Sequence, residues 1–349
     1  MSKVIHVTTE IAEIKIGGIA TVCDLLYENR EDEEFILVVK KKGNNLKEHK
    51  NLTVYTMEEF KQALPSLKYD KIIFHNYLIA HAYLECNLDM ENAYYVMHSN
   101  ILFERMFECT DLTYGNEQHF IDVISNFKII FISNYEIEML NKTIKMLGLN
   151  INYNPNYSVI YNGISGININ ESIEIKNNNK YGYIGRLDER KGILDLCREF
   201  TSIPSQLLIA TGGKGNYAKT IFEDFAKIVN STNNIIPVGY CQNDRKKSFF
   251  NSIDALIIPS LYEPFGMIVL EAIKYGVPII SNKTGGIVEI LGEDYPFYFD
   301  MNVKNDIKNV LCKFQNTSDE DKLSLIQKLK ERCLKHFSAD VMTRNYRNV

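Results

Sequence analysis

The sequence has no long hydrophobic run, no excess of positive charge and no closely spaced pair of cysteines. None of its apolar stretches reaches the roughly 18 residues that a transmembrane helix needs, so we expect none. A net charge of −5 at pH 7 supplies no overall positive field to attract nucleic acid. With 45% hydrophobic and 24% charged residues in 349, the chain has the composition of a globular protein and room for two domains.

The seven cysteines lie singly along the chain and form no C-x-x-C pair. An odd number of isolated thiols is typical of reduced, structural cysteines in the cytoplasm. The first residues, MSKVIHVTTE, enter a strand pattern directly, so we expect no signal peptide. The predicted location is cytoplasmic. No cationic amphipathic helix supports a membrane contact, although a weak peripheral contact stays open.

Short apolar runs alternate with longer amphipathic segments along the whole chain. The runs that predict strands are KVIHVTT, EFILVV, DKIIFHN, AYYVMHS, KIIFIS and SVIYNG, then YGYIGR, QLLIAT, NIIPVGY, DALIIPS and VPIIS. Between the two sets lies a polar, Asn-rich stretch, INESIEIKNNNK at 169–180. Continuously apolar strands separated by helices indicate parallel sheets covered on both faces.

The sequence therefore predicts two tandem, doubly wound Rossmann-like α/β domains. The first spans 1–168, the second spans 169–337, and a C-terminal helix at about 338–349 packs back on the first. Ligands of such sheets bind at the carboxyl ends of the strands. We therefore expect the site in a cleft between the two domains.

The stretch SLYEPFGMIVLEAIKYGVPIIS, residues 260–281, is the main candidate for chemistry. Pro264 favours an extended Glu263 before it and a helix after it, from about Phe265 to Tyr275. This places Glu263 at the mouth of the helix and Glu271 about two turns inside it.

Gly266 in the same stretch permits a ligand to approach the first-turn amides, which attract anions. A phosphate on those amides, flanked by carboxylates that accept hydrogen bonds from sugar hydroxyls, indicates a nucleotide-sugar site. The alternative is a buried helix with one N-terminal and one surface glutamate.

Two cations follow the first strand of the second domain, in YIGRLDERKG at 183–192. Arg186 and Lys191 lie where a diphosphate is expected and can neutralise it by bidentate and point-charge contacts. The alternative is an ordinary charged loop.

In the first domain, Gly17 and Gly18 precede a helix and permit close approach to an anion, or else form a plain turn. This pair lacks the G-x-G-x-x-G spacing of a dinucleotide enzyme, and TGGKGNY at 211–217 lacks the P-loop spacing. His98, at the end of YYVMHSN, faces the expected cleft and can bond a sugar hydroxyl, unless it is a satisfied core histidine.

A metal site is not predicted. The acidic run 319–321 occurs at a helix start, where acids favour the positive end of the helix dipole. No Ser-His-Asp set, Cys-His set or cluster with zinc-ligand spacing is present in the sequence.

Taken in order, IGGIATV, YVMHSN, VIYNGI, GRLDERKG, DALIIPSLYEPFGMIVLEAIKYGVPIIS and TGGIVEIL resemble the retaining glycosyltransferases of family 4, which have the GT-B fold. Glu263 and Glu271, with seven residues between them that include PFG, are the specific part of this resemblance. It implies transfer of a hexose-type sugar from a nucleotide diphosphate donor, expected to be a UDP-sugar, to a hydroxyl of a glycan, lipid-linked or protein acceptor.

The resemblance also implies a role for each matching residue. Catalytic roles fall to Arg186, Lys191, Glu263 and His98. Donor binding falls to Gly17, Gly18, Gly185, Gly266, Met267, Ile268 and Glu271, with Tyr240 and Cys241 in the place where the base is contacted. No cofactor or metal is implied, and the leaving phosphate oxygen takes the acceptor proton.

The stretch EIKIGGI also resembles the loop of glycogen and starch synthases, which adds Lys15 to the donor-binding residues. An α-glucan synthase is therefore the alternative enzyme. A non-catalytic sugar-nucleotide-binding scaffold and a GT-B epimerase that acts on UDP-N-acetylglucosamine are further alternatives.

Overall fold

The computed structural model describes residues 3–11, 18–28, 33–40, 51–107, 114–212 and 218–349. The chain forms two compact units, one of Met1–Ser165 with Ser338–Val349 and one of Gly166–Phe337. The sequence placed the joint at residue 169. Arrangement of the two domains across a cleft stays a prediction.

The first unit contains one parallel sheet of seven strands, ordered β3-β2-β1-β4-β5-β6-β7. Its strands are β1 (Val4–Thr8), β2 (Glu34–Val39), β3 (Leu52–Thr56), β4 (Lys71–Phe74), β5 (Ala93–Met97), β6 (Lys128–Phe131) and β7 (Ser158–Val159). The edge strand β3, LTVYT, is absent from the predicted strands because its residues are half-buried or exposed rather than continuously apolar and buried.

Helices cover this sheet and bury a continuous apolar core. They are α1 (Gly18–Glu28), α2 (Met57–Ala63), α3 (Tyr77–Leu84), α4 (Ile101–Phe107), α5 (Tyr114–Asn126) and α6 (Asn134–Met146). Side-chain caps fix three of the starts: Thr56 in a capping box at α2, Asn76 at α3 and Ser133 at α6. Each cap oxygen accepts a hydrogen bond from a first-turn amide that the helix itself leaves unpaired.

The second unit contains a parallel sheet of six strands, ordered β10-β9-β8-β11-β12-β13. Its strands are β8 (Lys180–Gly185), β9 (Gln206–Thr211), β10 (Ile235–Pro237), β11 (Ala255–Ile258), β12 (Ile279–Asn282) and β13 (Tyr298–Phe299). Counted within each unit, both sheets share the strand order 3-2-1-4-5-6 of the Rossmann fold. The predicted class of fold, parallel α/β sheets in two units, is confirmed.

The helices of the second half are α7 (Ile193–Phe200), α8 (Ala218–Asn230), α9 (Asn243–Phe250), α10 (Met267–Lys274), α11 (Gly285–Leu291), α12 (Asp306–Asn316), α13 (Asp319–His336) and α14 (Ala339–Arg347). Ser318 caps α13, and three acids occupy its first turn, so the run 319–321 is a helix start as predicted. Helix α14 belongs to the first unit, where the Ala339 amide donates to the Ile164 carbonyl at 3.0 Å. Within the described ranges, none of the helices is long and apolar enough to cross a bilayer.

The strand orders locate the functional edges of the two sheets. The order reverses between β1 and β4 in the first unit and between β8 and β11 in the second. Open α/β sheets bind ligands beyond the carboxyl ends of the strands at such a reversal. The residues that follow β8 and β11 are therefore the first place to look for a site in the second unit.

Candidate active site

Two chain segments meet at the reversal point of the second sheet: the loop after β8 and the segment after β11. The Arg190 carbonyl accepts a hydrogen bond from the Leu261 amide at 2.7 Å. Gly192 has φ of +62° and lies so close to the Pro259 carbonyl that a Cβ would be 2.1 Å from its oxygen. Only glycine fits there, because the backbone needs a positive φ and tolerates no side chain.

A buried ion pair fixes the shape of the loop after β8. The Arg190 guanidinium, 4% exposed, binds both oxygens of Asp188 at 3.0 and 2.7 Å. Burial by itself raises the pKa of Asp188, but the hydrogen bonds and charge of Arg190, together with the charge of Arg186, outweigh this and lower it. Asp188 is thus a carboxylate at neutral pH, and one of its oxygens lies 3.5 Å from the exposed Arg186 guanidinium.

The same loop brings Lys191 to Glu263. Lys191 Nζ donates to Glu263 Oε2 at 2.6 Å, and the side chains are only 20% and 12% exposed. Ser260 Oγ donates to the same oxygen at 3.2 Å. Two of the predicted catalytic residues are therefore in direct contact. Lys191 has three donors, so the contact with Glu263 leaves further N–H groups for an anion.

The helix of the candidate stretch begins later than predicted. It starts at Met267 and not at Phe265, because Gly266, with φ of +103°, is its left-handed N-cap. Pro264 consequently lies in the turn before the helix, and Glu271 lies just over one turn inside it, not two. No side chain caps this start, and the amides of Met267 and Ile268 are among those that a helix leaves unpaired.

The turn at 263–265 is held by the start of helix α11. The Gly286 amide donates to the Glu263 carbonyl at 3.0 Å. A Cβ on Gly286 would be 2.5 Å from the Phe265 Cα, so glycine is required for this approach. The contact fixes the backbone from which the Glu263 side chain projects.

Glu271 forms a second half-buried pair, with Lys246 of helix α9. Lys246 Nζ lies 2.9 Å from each carboxylate oxygen of Glu271. The two side chains are 27% and 19% exposed, so water reaches the pair. The sequence did not single out Lys246, and the only available signal was a cation on the helix after β10.

The other predicted donor-binding residues of this unit lie around the ends of β8, β9 and β10. Gly185 ends β8, and a Cβ there would be 2.7 Å from the Tyr183 hydroxyl, which donates to the Arg186 carbonyl at 2.8 Å. The ring of Tyr240 packs on Gly212 and is 46% exposed, whereas Cys241 is 6% exposed. Tyr240 thus presents an open aromatic face, and Cys241 contributes mainly to packing.

In the first unit, His98 follows β5 and is half-buried. Its Nε2 lies 3.1 Å from Nδ1 of His75, and desolvation lowers the pKa of His98 to about 3. Gly18 begins helix α1 and is exposed. Lys15 and Gly17 lie outside the described residues.

The structure also shows residues that sequence reasoning missed. Asp188 and Arg190 belong to the quoted GRLDERKG motif, yet the motif does not reveal which of its charges is buried. Ser260 is the first residue of the candidate stretch 260–281, but nothing in the sequence pattern assigned it a role. In the described part of the chain, no group of three or more His, Cys, Asp or Glu side chains is arranged to hold a metal ion.

Comparison with known proteins assigns this unit to a family. Residues 167–329 match the family Glycosyl transferases group 1. An uncharacterized glycosyltransferase of Methanocaldococcus jannaschii is 32% identical over 150 residues, which are 38% of this chain and 38% of the relative. The granule-bound starch synthase 1 of Ipomoea batatas is 33% identical over 123 residues, 33% of this chain and 19% of the relative. The chain thus spans less than half the length of each of these relatives.

Solved structures resemble the whole chain. The sucrose-phosphate synthase of Thermosynechococcus elongatus has a TM-score of 0.75 at 15% identity, covering 100% of this chain and 98% of its own. Anabaena HepE, solved with UDP and glucose, has a TM-score of 0.73 at 17% identity, covering 100% and 99%. The fold is accordingly that of the GT-B glycosyltransferases, and the second unit contains a glycosyl transferases group 1 domain.

We predict that Gly192→Ala destabilises the protein more than Gly148→Ala. Both glycines have nearly the same positive φ, +62° and +63°, but a Cβ at position 148 meets nothing within 4 Å. In the control Gly148→Ala, the free energy of unfolding should therefore fall only by the cost of a left-handed alanine, about 1 to 2 kcal/mol. Gly192→Ala loses roughly a further 1 to 3 kcal/mol through overpacking. Urea denaturation measures both, and equal losses would contradict the close approach to Pro259.

We predict that His98 makes the protein less stable in acid. Its pKa is about 3 in the folded state against an ordinary 6.5, so between these values the unfolded chain holds more protons and stability falls as pH falls. The stability difference between wild type and His98→Gln should shrink from pH 7 to pH 4 in denaturant titrations. A difference that does not change with pH would refute this.

Proposed function

We propose that this protein is a retaining glycosyltransferase of family 4. It moves a hexose-type sugar from a nucleotide diphosphate donor, most simply a UDP-sugar, to a hydroxyl of a glycan, lipid-linked or protein acceptor. The observation that carries the proposal is the contact between Lys191 and Glu263 beside the open start of α10, within a glycosyl transferases group 1 domain. The UDP bound in the structurally similar HepE supports the choice of donor.

The geometry of the second unit suggests how the donor is held. In the proposal, Lys191 and Arg186 neutralise the diphosphate, and the amides of Met267 and Ile268 bind its terminal phosphate. Glu263 keeps Lys191 in place through Oε2, whereas its Oε1 has no hydrogen-bond donor among the described residues. Oε1 is therefore the atom that we assign to a hydroxyl of the transferred sugar.

Glu271 is assigned to the ribose. A carboxylate accepts two hydrogen bonds from vicinal hydroxyls, and the pair with Lys246 holds the Glu271 side chain in place. The exposed ring of Tyr240 provides a face on which the base can stack. Gly17, Gly18 and Lys15 stay proposed contacts of the diphosphate, and His98 a proposed contact of a sugar hydroxyl.

The proposed chemistry relies on electrostatic stabilisation. Negative charge develops on the leaving diphosphate while the sugar becomes oxocarbenium-like, and fixed cations and amide dipoles stabilise that charge without reorganisation. The acceptor hydroxyl attacks from the face that the phosphate leaves, and a departing phosphate oxygen takes its proton. No side chain is assigned as a nucleophile. We propose that no metal is needed, since Arg186 and Lys191 supply the positive charge. A cytoplasmic location stays a prediction.

An α-glucan synthase is the second candidate, favoured by the similarity to starch synthases. It differs from the main proposal in its acceptor. Incorporation of glucose into glycogen would identify it, whereas the main proposal expects transfer to another glycan, a lipid-linked sugar or a protein. A scaffold without activity would bind nucleotide and turn over no donor, and an epimerase would release an epimerised sugar without an acceptor.

We predict that Lys191→Ala and Glu271→Ala impair different steps of donor turnover. A panel of nucleotide sugars is scored for hydrolysis or transfer, and the variants are then compared on the best donor. Lys191→Ala should lower kcat by about 10²- to 10³-fold, because the lost charge acts on the leaving group. Glu271→Ala should mainly raise KM, because ribose contacts are equal in the ground and transition states.

The matched control is Lys227→Ala, which breaks the exposed pair of Lys227 with Asp224 in the same unit. A surface pair of this kind contributes little, so turnover should be unchanged. Circular dichroism confirms that each variant is folded. Wild-type rates in both Lys191→Ala and Glu271→Ala would sink the proposal.

We predict that turnover of the donor survives chelation. Because Arg186 and Lys191 neutralise the diphosphate, EDTA should change the initial rate by less than about twofold. Adding Mg²⁺ or Mn²⁺ after EDTA should likewise change the rate by less than about twofold. Loss of most activity in EDTA, reversed by a divalent cation, would show that a metal assists the leaving group and would refute the metal-free proposal.

A further inference from the structure

Three histidines and a glutamate form a continuous hydrogen-bonded line through the first unit. Glu33 Oε2 lies 3.0 Å from His6 Nε2, and His6 Nδ1 lies 3.0 Å from His75 Nε2. His75 Nδ1 then lies 3.1 Å from His98 Nε2. We name these four residues the histidine relay. It starts at a buried carboxylate and ends at the carboxyl edge of the sheet.

The register of the sheet creates this line. His6 is opposite Ile73 across β1 and β4, and His75 lies two residues further along, on the same face. In the next pair, Ile73 is opposite Tyr94, so the continued register sets His75 opposite Val96, and His98 again lies two residues further. The ring nitrogens of these diagonal neighbours lie 3.0 Å apart for His6 and His75 and 3.1 Å apart for His75 and His98.

The inner part of the relay is shielded from water. His6, His75 and Glu33 are at most 3% exposed. Phe35 stacks on the His6 ring with centroids 4.9 Å apart, and Tyr346 of helix α14 contacts the same ring at 5.8 Å. Only His98 is half-buried. The relay therefore has one solvent-facing end.

Each ring uses both of its nitrogens, except the outermost one. A neutral imidazole has one donor and one acceptor nitrogen. Among the described residues, Nδ1 of His98 has no hydrogen-bond partner. Because every inner nitrogen is committed, the position of one proton in the line fixes the positions of the others.

Two arrangements satisfy every bond. With His6 neutral, its Nε2 donates to Glu33, His75 Nε2 donates to His6, and His98 Nε2 donates to His75. The outer Nδ1 of His98 is then an acceptor.

With His6 protonated, the direction reverses. His6 Nδ1 donates to His75, His75 Nδ1 donates to His98, and the outer Nδ1 of His98 carries a proton and donates. One proton separates the two states. The added proton binds Nδ1 of His98. His98 then passes its Nε2 proton to Nδ1 of His75, and His75 passes its Nε2 proton to Nδ1 of His6. His6 ends with a proton on each ring nitrogen.

We propose that Glu33, His6 and His75 are positioning residues that set whether the outer nitrogen of His98 accepts or donates a hydrogen bond to a hydroxyl of the bound sugar. The identity of that ligand rests on the function proposed above. Glu33 is the control point because its negative charge stabilises the protonated form of His6. From helix α14, the phenol ring of Tyr346 faces the rings of His6 and His75, with centroids 5.8 and 6.1 Å away.

Nitrogen-15 NMR of the full chain tests the relay directly. Two-bond ¹⁵N–¹H spectra distinguish Nε2–H from Nδ1–H tautomers, and single variants assign the seven histidines. On acidification from pH 9 to pH 5, His6 should become doubly protonated while His75 and His98 change from Nε2–H to Nδ1–H at the same midpoint. In Glu33→Gln the midpoint should fall by about one pH unit or more, and Glu33→Asp should restore it.

Two further variants separate a relay from independent histidines. His75→Met removes the connection, so His98 should no longer follow His6. His81→Gln alters a histidine outside the line, which stacks on His119, and should change nothing. The proposal is overturned if wild type shows no common transition in this range, or if Glu33→Gln leaves the midpoint where it was.

Kinetics provide the link to function. With UDP-glucose as the first donor, kcat/KM should show an inflection at the NMR midpoint, and Glu33→Gln should displace both together. An inflection that stays in place while the NMR midpoint moves would refute the role toward the ligand. If no nucleotide sugar is turned over, the proposed function fails, whereas the tautomer spectra still decide the relay.

Discussion

The joining of two backbone segments at the reversal point of the second sheet is the constraint on which the candidate site depends. The hydrogen bond from Leu261 to the carbonyl of Arg190 and the contact of Gly192 with Pro259 hold the ends of β8 and β11 together. Lys191 lies between these two contacts, so its backbone is fixed where its ammonium group reaches Glu263. An electrostatic site needs this fixity, because dipoles and charges stabilise a transition state only when they are already oriented.

The charged side chains of the candidate site differ in how deeply they are buried. The innermost pair, Asp188 with Arg190, is almost fully enclosed and neutralises itself. The pair of Lys191 with Glu263 is partly exposed, and Arg186 is open to water. A buried pair of good geometry stabilises a loop conformation but has little capacity to bind a ligand. Arg186 and Lys191 keep N–H donors for an incoming anion. The buried pair of Asp188 with Arg190 fixes the loop that positions them.

The alternation of apolar runs was enough to predict two parallel α/β units and most of their strands, because buried parallel strands are continuously hydrophobic. It failed at β3, whose residues are not buried on both faces, and at the start of α10, where the left-handed Gly266 outweighed the helix-starting preference of Pro264. The charged motif residues after β8 and β11 were singled out as well, and their functional roles stay predictions. Their partners were not singled out, because contacts such as Lys246 with Glu271 depend on how α9 packs against α10, and no local pattern encodes that.

The histidine relay is a second set of contacts that the sequence pattern could not predict. His6 lies within an apolar run of the sequence, and His75 and His98 lie near the ends of two others. Their diagonal alignment depends on a register that the runs do not specify. Its shielding depends on the last helix of the chain, which returns to the first unit and brings Tyr346 onto His6. Low local dielectric strengthens hydrogen bonds and makes neighbouring ones reinforce each other. Helix α14 therefore does more than close the fold. By keeping water from the inner nitrogens, it couples the protonation of His6 to the position of the proton on His98.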